Sequence, residues 1–206
     1  MQKLQISTVT LGALQTNCYF LTNAQTKETV VIDPAENFSQ IRGRLSADGF
    51  APVAVLLTHG HFDHMTAADE IRNAFGIPVC AAAAEQSLLA DPRKNGSALT
   101  GKETALTADT WIADGENLLL GGFNISIIST PGHTAGSVCY YIKDENTLIS
   151  GDTLFKSGVG RTDLPTGNYS ALIYSITRKL FTLPDITDVY PGHGGKTTIA
   201  SEKNTI

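Results

Sequence analysis

The chain has 206 residues, of which 42% are hydrophobic and 17% are charged, and this composition excludes an intrinsically disordered protein. Its 15 basic and 20 acidic side chains give a net charge of -5, which argues against a nucleic-acid partner or an anionic membrane surface. The length predicts one domain over residues 1–206. No apolar run is long enough to span a membrane, the N-terminus lacks the apolar core of a signal peptide, and the three cysteines are far apart with no Cys-x-x-Cys pair. We therefore expect a soluble, cytoplasmic protein.

Strand-like and helix-like segments alternate along the chain, as is typical of an α/β protein. Runs of β-branched, aromatic and other apolar residues predict strands over residues 4–9, 17–22, 29–32, 53–57, 117–120, 123–129, 138–142, 147–150 and 188–190. Apolar residues at helical spacing predict helices over residues 39–48, 65–75, 85–90 and 169–180. Residues 92–109 are predicted to form a loop, and a Gly-rich turn and a polar stretch are predicted after residue 190. We therefore predict one α/β domain with mixed sheets.

All five histidines lie at the ends of predicted strands. Three of them fall in the sequence Thr-His-Gly-His-Phe-Asp-His at residues 58–64, directly after the apolar run 53–57. His133 and His193 each follow a Pro-Gly turn. A single histidine is more often a structural residue than a ligand. In this chain, however, every histidine lies where α/β enzymes place their ligands, which favours a functional site.

The residue types in this cluster indicate metal binding, because imidazole and carboxylate are ligands that borderline divalent metals prefer. Residues 59–64 contain four such donors, His59, His61, Asp63 and His64. Four donors on one short loop cannot all reach one ion, but two can point toward one ion and two toward another. Distant segments must then complete each ion, and His133 and His193 can supply one ligand apiece. Asp152, which follows a predicted strand through Gly151, is the candidate for a bridging carboxylate.

These motifs resemble the metallo-β-lactamase superfamily, in particular its glyoxalase II-like (hydroxyacylglutathione hydrolase) branch. The matching segments are Asp33-Pro34, the His-x-His-x-Asp-His motif, and residues 130–133, 151–155 and 192–193. The sequence Gly-Arg-Thr-Asp at residues 160–163 is a further segment found in short bacterial members. The resemblance implies a four-layer αβ/βα sandwich of class α/β (α+β), with two mixed β-sheets and a metal site at one edge.

The resemblance also implies roles for individual residues. One ion would be held by His59, His61 and His133, the other by Asp63, His64 and His193, with Asp152 bridging them. Asp63 and Asp152 are also expected to be catalytic, and the ions are expected to be Zn²⁺, with iron or manganese as alternatives. Asp33 would orient a ligand histidine, unless it is an ordinary turn residue. Arg161 would contact the thiol part of the substrate, unless it forms an ion pair with Asp163.

The predicted activity is hydrolysis of a small-molecule thioester. Two ions that share a water lower its pKa toward about 7, and the resulting hydroxide can attack a carbonyl. A thioester suits such a site, because a thiolate leaves without a strong general acid. The sequence has no Gly-x-Ser-x-Gly motif and no cysteine beside a histidine. Full-length glyoxalase II has a C-terminal helical domain that helps bind glutathione, and residues 1–206 are not expected to contain it. We therefore predict a hydroxyacyl-thioester hydrolase whose natural thiol and acyl group stay open.

Two other functions are compatible with the same residues. Persulfide dioxygenases share this fold and most of these motifs, and they use one iron, which His59, His133 and Asp152 would hold in this chain. A metal-binding module without catalysis is the third hypothesis. A true β-lactamase has a cysteine at the position of Asp152, which argues against β-lactamase activity. The acidic net charge argues against the nuclease branch of the superfamily. The oligomeric state also stays open.

Overall fold

A computed structural model of the chain describes residues 4–205. Within this range the strands are β1 (Leu4–Leu11), β2 (Thr16–Asn23), β3 (Glu28–Ile32), β4 (Ala51–Leu56), β5 (Val79–Ala82), β6 (Thr110–Ile112), β7 (Asn117–Leu120), β8 (Phe123–Ser129), β9 (Val138–Ile142), β10 (Thr147–Gly151), β11 (Leu154–Phe155), β12 (Gly158–Val159), β13 (Asp188–Pro191) and β14 (Thr197–Thr198). The helices are α1 (Phe38–Ala47), α2 (Phe62–Met65), α3 (Ala68–Phe75), α4 (Gln86–Leu89), α5 (Tyr169–Arg178) and α6 (Ile199–Lys203).

The strands form two six-stranded mixed sheets and one small two-stranded sheet. In the first sheet the strand order is β1 to β6, with antiparallel pairing up to β3 and parallel pairing from β3 onward. The second sheet has the order β14-β13-β10-β9-β8-β7, and β10 and β13 are its parallel pair. Carboxyl ends of parallel strands meet at the same edge of a sheet. The residues that follow β3 and β4 therefore lie together, as do those that follow β10 and β13.

Helices cover the outer faces of both large sheets, which confirms the predicted four-layer α/β fold. Ile41 and Leu45 of α1 and Ile71 of α3 pack in one buried cluster with Phe20 and Val31 of the first sheet. Leu172 and Ile176 of α5 pack on the outer face of the second sheet. The inner faces of the two sheets pack against each other through Leu21, Val30, Ile32, Leu56, Ile125, Ile127, Tyr140 and Ile149.

The prediction of one helix over residues 65–75 was wrong in its extent. The structure has two helices there, α2 and α3, separated by Thr66 and Ala67. The Ala67 N–H donates to the carbonyl oxygen of Pro34, so a tertiary hydrogen bond holds the chain at the break. Because α2 begins at Phe62, the second half of the histidine motif lies on a helix. His64 therefore points in a direction that differs from that of the preceding loop residues.

The C-terminal polar stretch was also predicted wrongly, because it forms β14 and α6. The Thr198 side chain caps α6 by accepting a hydrogen bond from the Ser201 N–H, and Ile199 is buried against the second sheet.

The strands β5 and β6 were not predicted from the sequence, and they are only four and three residues long. In residues 4–205 no helix is long and apolar enough to cross a membrane. The three cysteines are free and buried.

Candidate metal centre

The five histidines come together at one edge of the sandwich. His59 and His61 follow β4, His64 lies on α2, His133 follows β8 and His193 follows β13. The ring centroid of His59 lies 4.8 Å from that of His61, 4.7 Å from that of His133 and 4.1 Å from that of His64. The His64 and His193 ring centroids are 5.3 Å apart. The topology thus brings segments more than 100 residues apart in sequence into one cluster.

The possible ligand atoms form three groups, and within each group all of them lie within 4.8 Å of one another. These groups are His59, His61 and His133; Asp63, His64 and His193; and His59, His64 and Asp152. The first two have the same members as the two ligand sets that the resemblance implies. Asp152 lies between them: its Oδ1 is 3.4 Å from His64 Nε2, and its Oδ2 is 3.6 Å from His133 Nε2 and 3.4 Å from His193 Nε2.

Three of the histidines have an outward-facing nitrogen that is hydrogen-bonded to a carbonyl or carboxylate oxygen. His64 Nδ1 lies 2.9 Å from Asp33 Oδ2, and His133 Nδ1 lies 2.7 Å from the Arg161 carbonyl oxygen. His193 Nδ1 lies 3.0 Å from the carbonyl oxygen of Leu14. Carbonyl and carboxylate oxygens only accept hydrogen bonds, so Nδ1 of each ring carries a proton. The neutral form of each ring therefore turns the lone pair of Nε2 toward the cluster, as metal ligands require.

The inner atoms of the cluster fit a divalent metal. Among the buried side-chain atoms of the cluster, the structure of residues 4–205 shows no hydrogen-bond partner for Nε2 of His59, His61 and His64 or for Oδ1 of Asp152. Native proteins rarely leave buried polar atoms unpaired, so these atoms call for a ligand. His61 Nδ1 and His133 Nε2 lie 2.9 Å apart. This distance is close to the separation of about 3.3 Å between two nitrogens on one tetrahedral zinc ion, which follows from Zn–N bonds of about 2.05 Å.

The first histidine group is electrostatically prepared for a metal. Burial lowers the pKa of His59 far below its usual value, and the neighbouring histidines lower it further. Burial and the neighbouring His133 also lower the pKa of His61, to about 4. Burial lowers the pKa of His133 as well, although Asp152 opposes this shift. These rings are therefore neutral near pH 7, so protons compete little with a metal for their nitrogens.

The second group behaves differently because two carboxylates face it. Burial would lower the pKa of His64, but Asp63 and Asp152 outweigh it and raise this pKa to about 9. Burial opposes the shift at His193 too, yet the carboxylates of Asp152 and Asp63, each 3.4 Å from His193 Nε2, raise its pKa to about 10. Burial would raise the pKa of both carboxyls, but the charges of His64 and His193 lower it. A metal that binds this group must therefore displace protons from the two rings.

Two glycines allow the strand ends to approach each other closely. A Cβ atom on Gly192 would lie 2.1 Å from Asp152 Oδ1 and 2.7 Å from His64 Cε1. Gly151 has a φ of 48°, and a Cβ atom there would lie 2.4 Å from the Thr58 hydroxyl oxygen. A larger side chain at Gly192 would push Asp152 away from His64, and one at Gly151 would displace Thr58, the residue before His59.

Asp33 lies where its predicted orienting role requires. Its Oδ1 accepts the Thr58 N–H at 2.8 Å, and its Oδ2 accepts the Thr58 hydroxyl at 2.7 Å. The same Oδ2 faces His64 Nδ1, and the side chain is buried. The carboxylate thus connects the end of β3 to both halves of the histidine motif.

Glu85, a buried carboxylate behind the first histidine group, was not predicted from the sequence. Its Oε2 accepts the Gly60 N–H at 2.7 Å, and its Oε1 accepts the Gly136 N–H at 2.7 Å. Burial raises the pKa of Glu85, against these hydrogen bonds, which lower it. Gly60 lies between two histidines of the motif, and Gly136 lies three residues after His133. Glu85 therefore connects both loops that carry the first histidine group.

We expect Glu85→Gln to weaken zinc binding at the first histidine group by about 10- to 100-fold, as other supporting residues of metal sites do. The glutamine oxygen can accept only one of the two N–H groups, and its amide nitrogen would face the other donor. Competition with a chromophoric chelator measures this affinity. Glu70→Gln, an exposed position on α3, is the matched control. Unchanged zinc affinity in Glu85→Gln would mean that Glu85 supports only the fold.

Two residues at the start of β2, also missed, support the second group. The Thr16 hydroxyl donates to Asp63 Oδ2 at 3.0 Å. The Asn17 amide nitrogen donates to the carbonyl oxygens of Pro191 and Gly194, at 3.0 and 2.9 Å. These bonds fix the turn that carries His193. The polar character of these two residues at the end of a predicted strand could have indicated a role at the site. Their hydrogen-bond partners, however, are distant in the sequence and cannot be identified from it.

A cleft of about 690 Å³ opens beside the cluster and is lined by His61, Asp63, His133, Asp152 and His193, among others. Arg161 also lines this cleft. Its Nε and Nη2 atoms each lie 2.7 Å from a carboxylate oxygen of Asp163, so the ion pair named as the alternative is present. Both roles considered for Arg161 are therefore compatible with its position, and its contact with substrate stays a prediction.

Comparisons with known proteins show what this chain is similar to. A family model described as the metallo-beta-lactamase superfamily matches residues 11–193. A probable metallo-hydrolase of Bacillus subtilis (strain 168), YqgX, is 43% identical over 196 residues, which cover 94% of this chain and 92% of that protein. The hydroxyacylglutathione hydrolase GloC of Haemophilus influenzae is 33% identical over 205 residues, which cover 98% of this chain and 96% of that protein.

Solved structures share the fold over nearly the whole chain. The BLEG-1 B3 metallo-beta-lactamase matches with a TM-score of 0.93 and 41% identity, covering 97% of both chains. TTHA1623, solved in a di-iron-bound form, matches with a TM-score of 0.86 and 33% identity, covering 97% of this chain and 98% of the other. ETHE1 from Myxococcus xanthus matches with a TM-score of 0.80 and 30% identity, covering 98% of this chain and 82% of the other.

Proposed function

Because the chain belongs to the metallo-β-lactamase superfamily, we propose that it is a metal-dependent hydrolase that binds two ions and cleaves a thioester. The observation that carries this proposal is the pair of three-residue ligand groups with Asp152 between them. One shared carboxylate within reach of both groups is what a two-ion site needs. Zinc is the first choice of metal, and iron is supported by the di-iron form of the similar TTHA1623.

In this proposal each group holds one ion: His59, His61 and His133 the first, and Asp63, His64 and His193 the second. When bound, two such ions lower the pKa of a shared water and polarise the substrate carbonyl. Asp152 fixes the spacing between the groups, and the Thr16 hydroxyl holds Asp63 in place. Asp33 and the Arg161 carbonyl oxygen fix the protonation of the rings that they contact.

A thioester is the substrate class that suits these residues. Its leaving group is a thiol with a pKa of about 8.5, so the sulfur can depart as a thiolate without receiving a proton. The 33% identity to a hydroxyacylglutathione hydrolase supports this class. We also propose a single-domain organisation, a cytoplasmic location and a small-molecule substrate, with no nucleic-acid or membrane partner.

A mononuclear iron dioxygenase acting on persulfides is the second candidate. Two histidines and one carboxylate suit non-haem iron, and His59, His133 and Asp152 can supply them. His133 Nε2 lies 3.6 Å from Asp152 Oδ2, and the His59 and His133 ring centroids are 4.7 Å apart. The second group argues against this candidate, because one iron would leave Asp63, His64 and His193 without a role.

A substrate panel tests the proposal. Protein loaded with zinc, iron or manganese is assayed with a hydroxyacyl-glutathione, a neutral thioester, a β-lactam and a persulfide, the last by oxygen uptake. We expect thioester hydrolysis to exceed every other activity by about 100-fold or more in kcat/KM. A β-lactam belongs in the panel because of the similarity to BLEG-1. Persulfide-dependent oxygen uptake without thioester hydrolysis would contradict the proposal.

A further inference from the structure

The loop at residues 91–100 forms part of the cleft wall, and it is tied to the histidine motif. The Phe62 N–H donates to the Asn95 carbonyl oxygen at 3.0 Å, so the loop is hydrogen-bonded to the first residue of α2. Asn95 is buried, and its amide nitrogen donates to the Thr104 carbonyl oxygen at 2.8 Å. Its side-chain oxygen accepts the Ser97 N–H at 2.9 Å. The loop is therefore held in a defined position relative to the candidate metal site.

This loop brings two cations to the cleft, Arg93 and Lys94, in addition to Arg161. Arg161 is paired with Asp163. Lys94 Nζ donates to the Ser87 hydroxyl oxygen at 2.7 Å and lies 3.9 Å from Asp91 Oδ2. The Arg93 side chain is exposed, and within residues 4–205 it has no hydrogen-bond or ion-pair partner. Arg93 is thus the cleft cation whose charge no carboxylate of the described chain balances.

We propose that Arg93 binds an acidic group on the thiol half of the substrate and thereby selects anionic thioesters. This inference rests on the proposed function. The reacting carbonyl must lie at the histidine cluster, so an acidic group that reaches the loop is separated from it by several bonds. A guanidinium can bind a carboxylate through two parallel hydrogen bonds. The exposed side chains of Leu14 and Leu99 line the same cleft and can contact apolar parts of the thiol.

The first test compares two thioesters of the same acyl group, one of glutathione and one of the neutral thiol N-acetylcysteamine. Arg93→Ala should lower the ratio of the two kcat/KM values by about 5- to 50-fold, mainly through KM for the anionic substrate. Arg93→Lys should retain part of the preference, because the charge is kept while the planar fork is lost. Arg42→Ala, an exposed arginine of α1 outside the cleft, is the matched control. An unchanged ratio in Arg93→Ala would overturn the inference while leaving thioester hydrolysis standing.

The second test measures binding without turnover. S-methylglutathione, a thioether that cannot be hydrolysed, is titrated calorimetrically into the zinc-loaded wild type and the variants. We expect Arg93→Ala to raise Kd by about 5- to 50-fold, and added salt to weaken wild-type binding more than binding by the variant. Equal Kd values and equal salt dependence would overturn the inference. If no thioester is hydrolysed, the proposed function fails, and this titration still decides whether Arg93 binds the anion.

Discussion

Asp152→Asn is expected to reduce kcat/KM for thioester hydrolysis by about 1,000-fold or more. In the structure both carboxylate oxygens of Asp152 face histidine nitrogens, with His64 on one side and His133 and His193 on the other. Asparagine has a similar shape, but it carries no charge, and its NH₂ group cannot donate an electron pair to a metal. The substitution therefore leaves one side-chain oxygen, where the carboxylate has two, that can bind a metal.

The loss in Asp152→Asn should come with a lower metal content and not with unfolding. Metal analysis, steady-state kinetics and circular dichroism of the same preparation separate the two effects. Asp144→Asn, at an exposed position outside the cluster, serves as the control. If Asp152→Asn keeps both its metal content and its activity, Asp152 does not bridge the two groups.

Asp33→Ala is expected to lower the free energy of unfolding by about 3–5 kcal/mol in the metal-free protein. The carboxylate is buried, accepts two hydrogen bonds from Thr58 and faces His64 Nδ1. Its removal leaves these donors unpaired in the protein interior, which is costly. Asp33 also has a φ of 50°, a conformation that aspartate tolerates better than alanine does. Urea unfolding, monitored by fluorescence and circular dichroism, measures the change.

Zinc affinity of the second group should fall in the same variant, because His64 loses the partner that orients its ring. Asp33→Asn separates charge from shape, since its oxygen can still accept the Thr58 N–H. We expect an intermediate loss of stability in Asp33→Asn. A change below about 1 kcal/mol in Asp33→Ala would mean that Asp33 is an ordinary turn residue.

The ligand cluster could be located from the sequence because metal binding requires particular residue types. Histidines are few, and all five follow predicted strands, so the rule that strand ends meet at one edge was sufficient to place them together. The split into two groups came from the limited reach of a short loop, and the assignment of His133 and His193 came from the family resemblance. Two of the three ligand groups in the structure have these members, and the third joins His59 and His64 through Asp152.

The supporting residues could not be found in this way. Glu85 hydrogen-bonds to the backbone of Gly60 and Gly136, which are 25 and 51 residues away in sequence. A backbone N–H is present at almost every residue, so such a bond leaves no pattern to detect. Arg93 likewise stands in a polar segment predicted only to be a loop. Its position beside the cleft depends on the buried side chain of Asn95.

The missed elements have a related cause. The strand β5 consists of Val79–Ala82, with the sequence VCAA, and its small residues carry little strand propensity. It forms because it pairs with β4 on one side and β6 on the other. The break between α2 and α3 depends on the hydrogen bond from Ala67 to Pro34. In both places tertiary contacts, and not local sequence, decide the structure.

Zinc titration of the metal-free protein, with thioester hydrolysis followed at each addition, tests the two-ion site most directly. Activity should rise mainly with the second equivalent, and the protein should bind two equivalents of zinc. His193→Ala should bind one equivalent tightly and stay inactive, because only the second group loses a ligand. Full thioester hydrolysis at one equivalent of zinc, with no further binding, would contradict the two-ion assignment.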